Sequence, residues 1–210
     1  MVPINLVLFY ASVCALLALC SGLLWRRRLA QSLCFSLYIA SATGFSILYI
    51  LSPASNTPQT FIVKQGLYDS LMFGMAMEIS YKVFGAFRGI ASRARALLAS
   101  LVAGSSLLIL FLTPGNEQYV NIGRYQPGIT TAGIWCLTFV ALLIVWYQIP
   151  VPNFTRAILL GYIPYLVVFV IVMDLLSRLG WGFVENLNAV KGAAYDAAVG
   201  YLAYAAWRKD

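Results

Sequence analysis

The 210-residue sequence is expected to fold as an all-α integral membrane bundle of seven transmembrane helices. Three observations lead there. Hydrophobic residues make up 61% of the chain and charged residues 10%, with a mean hydropathy of +0.83. Soluble domains hold about 25% charged residues. The apolar residues also fall in runs, and at roughly 20 residues per crossing the length has room for about seven. Finally, the basic residues lie between those runs, with a strong bias to one side. Residues 1–210 read as a single domain, with no stretch polar enough to form a separate soluble unit.

The first span, 4–25, has Pro3 at its mouth and the cluster Arg26-Arg27-Arg28 behind it. A secretory signal would carry its basic residues in front, so this segment is expected to stay, with its N-terminus outside. The second span, 29–51, returns outward to the loop SPASNTPQT. Ser41, Thr43, Gly44 and Ser46 put its continuity in question. The third, 62–87, is the spine of the bundle, because it carries Asp69, Glu78 and Lys82 and ends at Arg88, Arg93 and Arg95. A fourth span covers 95–113 and is followed by the polar loop 114–128. The fifth, 129–149, ends at Trp146-Tyr147. The sixth, 154–177, holds Pro164, which removes a backbone donor and predicts a kink. The seventh, 185–207, runs to Trp207-Arg208-Lys209-Asp210. Trp and Tyr at the span ends suit an aromatic belt.

Counting sides tests this threading. Arg26, Arg27, Arg28, Arg88, Arg93, Arg95, Arg156, Arg208 and Lys209 fall inside, against Lys64, Arg124 and Arg178 outside. That asymmetry predicts an outside N-terminus and a cytoplasmic C-terminus in a bacterial cytoplasmic (inner) membrane. The expected surroundings are the lipid bilayer, with anionic lipids at the cytoplasmic face, and a membrane-protein partner or a second copy of the chain. The net charge of +7 is thus spent on orientation, and no nucleic acid is expected. Histidine is absent and the four cysteines stand singly in apolar spans, so no metal site or other cofactor is expected.

Ionisable groups inside the spans are the candidate ligand or proton-pathway residues, since each costs roughly 2.5–3.5 kcal/mol at membrane depth unless it faces protein or water. Glu78 and Lys82, four apart, can pair on one helix face. They read either as a self-neutralised pair with Lys82 reaching the interface or as a relay to the inner surface. Asp196 shares a four-residue stripe with Gly192 and Gly200. Small residues there favour close helix packing and point Asp196 into the bundle, at a depth where it could share a proton with Glu78. Asp69, Asp174, Glu185 and Lys191 fall in the outer parts of spans three, six and seven. If these spans are neighbours they form an outward-opening pocket, with Tyr68, Trp181 and Tyr195 nearby. Asp69 and Lys191 are its strongest pair.

Seven spans with a lysine on the last invite comparison with microbial rhodopsins. Gly200 stands where their retinal-binding lysine would be needed, and Lys191, some 25 Å along the helix from Arg208, lies too near the surface. The Pro-Gln turns of SWEET-like transporters are also missing from the inner span ends. The run EISYKVFGAFRGIASRARALLAS, through Glu78, Phe84, Phe87 and Arg93, resembles small seven-helix bacterial membrane proteins. That resemblance implies the architecture and no activity. No HExxH, GxSxG or phosphate loop occurs, and a non-enzymatic role is expected: a sensor or receptor-like module, or a subunit of a membrane complex. The alternative is a small-solute or proton-coupled transporter using the acids of spans three and seven.

Overall fold

A computed structural model describes residues 4–55, 57–84, 118–179 and 183–208. Those residues form six long helices and two short 3-10 turns, with no strand among them. The helices are α1 (Ile4–Trp25), α2 (Leu33–Leu51), α3 (Pro58–Phe84), α4 (Gln118–Trp146), α5 (Asn153–Leu179) and α6 (Val184–Trp207). They correspond to expected spans one, two, three, five, six and seven. The expected fourth span, the basic patch Arg88, Arg93 and Arg95, and Trp181 lie outside the described residues.

Among the described residues three segments are long and apolar enough to cross a membrane: Leu6–Trp25, Leu33–Leu51 and Asn153–Leu176. Thr130–Trp146 is a shorter apolar stretch within α4. α3 and α6 are of similar length, but their charged residues lower their hydropathy.

Local chemistry explains where the helices begin and end. Thr57 precedes Pro58, a residue suited to the first helical position, and its hydroxyl accepts the Thr60 N–H at 3.2 Å, capping α3. α2 starts later than expected, because a 3-10 turn (Arg28–Gln31) and the extended Ser32 precede it. It then runs unbroken. The hydroxyls of Ser41, Thr43 and Ser46 each bond a carbonyl of the preceding turn, at 2.8 Å, so none competes for the helix's own amides. α4 begins within the expected polar loop, at Gln118. It ends with Gln148 at positive φ, the Ile149 N–H bonding Ile144 O and the Gln148 N–H bonding Val145 O. That is a Schellman stop, and buried Ile144 and Ile149 supply its apolar contact. α5 continues through Pro164 as one helix.

The six helices pack as a ring in chain order, closed by α1 against α6, the most extensive contact of all. At that seam the Trp207 indole N–H donates to Ala18 O at 2.9 Å, directly beside Gly22. One end of the ring is marked by Arg28. There Phe35 of α2 meets Phe154 of α5, and Leu23, Ile79, Val83 and Ala206 are buried around them. α3 reaches this end with its C-terminus, since Glu78 touches the start of α2. α4 does too, since a short turn joins it to the start of α5. α3 and α4 therefore run in the same direction.

Candidate functional site

The ring is filled with apolar side chains at the Arg28 end and open at the other. Between α1, α2, α3, α5 and α6 lies a cavity of about 450 Å³, with Thr130 of α4 on its wall. Its size is that of a small-molecule site.

Six tyrosines of the described residues stand in the wall: Tyr38, Tyr49, Tyr68, Tyr162, Tyr165 and Tyr195. Tyr38 of α2 stands 5.0 Å from Tyr68 of α3 and 5.4 Å from Tyr162 of α5, centroid to centroid. Tyr165 of α5 continues the series at 6.0 Å from Tyr162 and 5.2 Å from Tyr195 of α6. Such ring-to-ring spacings are favourable in themselves. Together they tie four helices around one space.

Among the described residues three side chains of the charged types share that space: Lys64, Asp69 and Lys191. Asp69 accepts a 3.1 Å hydrogen bond from the Gln65 amide one turn earlier. Lys64 lies over the ring faces of Tyr49 and Tyr68, at 5.1 and 5.7 Å, and Lys191 over Phe169 at 5.9 Å. Ring faces attract cations. Among the described residues neither lysine has a carboxylate within ion-pair distance.

The structure thus brings Asp69 and Lys191 to one cavity, with Tyr68 and Tyr195, without pairing them directly. It does not bring Asp174 or Glu185 there. Asp174 forms a 2.9 Å ion pair with Arg178 on the exposed side of α5, and Glu185 is exposed in the first turn of α6.

Glu78 and Asp196 are also kept apart. Glu78 sits at the Arg28 end, accepting the Leu33 and Cys34 N–H groups at 3.0 and 3.1 Å and the Ser32 hydroxyl at 3.1 Å. It caps a neighbouring helix. Lys82 pairs with it at 3.0 Å and also donates to the Gln31 carbonyl. Asp196 instead accepts the Ser12 hydroxyl of α1, and its Oδ2 is buried with no partner among the described residues. Different partners hold the two acids, so no shared proton links them.

Lys64, Gln65 and the tyrosines of α2 and α5 were not among the sequence candidates. A signal did exist on α3, where Lys64, Tyr68 and Met72 recur every fourth residue beside Gln65 and Asp69, making one polar-aromatic face. Comparison with protein-family models, with curated proteins and with solved structures found no match.

Proposed function

We propose that the chain is a seven-helix protein of the bacterial cytoplasmic membrane, N-terminus outside, acting without catalysis as a sensor or receptor-like module that binds a small molecule in the tyrosine-lined cavity. One observation carries this reading: the cavity occupies a single end of the ring, and packed side chains close the other. Leu16, Leu19, Ile39, Met75, Ile79 and Ile158 are almost wholly buried beneath it. The shared direction of α3 and α4 supports the count, since the chain enters both from the same end, a return that seven crossings require and six do not.

A carrier is the second reading, favoured by the Ser12–Asp196 contact. Ser12 lines the cavity, and Asp196 beside it keeps one oxygen without a partner among the described residues. Against a relay stands Glu78, whose oxygens are engaged in holding α2.

Reconstituted protein screened against small amphipathic molecules separates the two. A receptor should melt at higher temperature with its ligand, lose that shift in Ser46→Phe, which fills the cavity from α2, and pass no ligand across proteoliposomes. Ligand flux abolished by Asp196→Asn would establish the carrier instead.

A further inference from the structure

We propose that the cavity selects a small organic monocarboxylate with an apolar or aromatic body. The proposal rests on the reading of that cavity as a ligand site. An aromatic cage by itself suits a cation. Here the signs are reversed, because the faces of Tyr49, Tyr68 and Phe169 are already covered by the ammonium groups of Lys64 and Lys191.

Among the described residues two ammonium groups line the cavity against one carboxylate, Asp69, while Asp196 lies behind Ser12. Asp69 is in turn engaged by Gln65 within its own helix. Both lysines are half-buried among aromatic rings, where an ammonium without a counter-charge is costly. One bound anion supplies what is missing. Each lysine offers charge-assisted donors and the tyrosine hydroxyls offer neutral ones, while the rings and Leu166 receive the rest of the molecule. A neutral or cationic ligand would leave both ammonium groups unmatched.

The test uses the full chain in nanodiscs and three probes with one body: phenylbutyrate, phenylbutyramide and phenylbutylamine. Equilibrium dialysis, with Ser46→Phe nanodiscs subtracting lipid partitioning, should show the carboxylate binding at least about tenfold tighter than the amide. Lys64→Met and Lys191→Met should each remove that preference, while Lys64→Arg and Lys191→Arg keep it. Asp69→Asn should tighten the carboxylate, a gain that no loss of folding imitates. Equal binding of acid and amide, or preference for the amine, would overturn the anion selectivity and leave a ligand cavity standing. Absence of all three from the cavity would overturn both.

Discussion

Arg28 stands last in a run of three arginines, and its position alone assigns it the same topological duty as its neighbours. In the fold it is 4% exposed and donates to the carbonyls of Ala205 and Arg208, at 2.8 and 2.7 Å, while its guanidinium covers Phe154. A cation on the last carbonyls of a helix satisfies groups that the helix itself leaves open. Arg28→Met should therefore destabilise the bundle by about 2 kcal/mol, seen as a lower melting temperature in detergent. Glu78 does the converse work at the start of α2. Glu78→Ala should cost about 1–2 kcal/mol, the usual worth of an N-terminal cap, and leave phenylbutyrate affinity unchanged. A loss of binding with no loss of stability would return Glu78 to the list of pathway residues. Neither role was legible in the sequence. Polarity marks a side chain as needing company in the membrane, but the capping partners here lie 44 or more positions away.

Glycine placement separates the helix faces that touch from those that do not. A Cβ at Gly22 would come within 2.9 Å of the Trp207 indole and 3.1 Å of the Ala206 methyl, and that indole is held by its bond to Ala18. Gly22→Ala should cost about 1–3 kcal/mol by forcing α1 from α6. Gly200, expected to share a packing stripe with Asp196, has nothing among the described residues within 4 Å of its Cβ position. Gly200→Ala should be neutral or stabilising by up to about 1 kcal/mol, and thermal melts of the two variants check the contrast. Helix existence was readable because hydropathy and length report it. The unbroken course of α2 was not, since Ser and Thr disfavour a helix only until their hydroxyls find carbonyls within it. The extension of α4 into a polar stretch was missed for the opposite reason: hydropathy marks the bilayer, and a helix need not stop at its edge.

The ring as a whole joins two properties that hydropathy reports separately, an apolar lock at the Arg28 end and a charged, aromatic cup at the other. Charges in spans three, six and seven pointed toward the cup, and Asp69 and Lys191 do meet in it. Its aromatic wall depends on which faces of α2 and α5 turn inward, which only packing decides. If the cup opens outward and the lock stays shut, a single residue on its wall reports from one side alone. With Cys14, Cys20, Cys34 and Cys136 replaced, Gln65→Cys can be probed by a membrane-impermeant thiol reagent in right-side-out and inside-out vesicles. Modification from outside only is the predicted result. Modification from the cytoplasmic side, in either the presence or absence of phenylbutyrate, would contradict the threading or the lock, and with it the receptor.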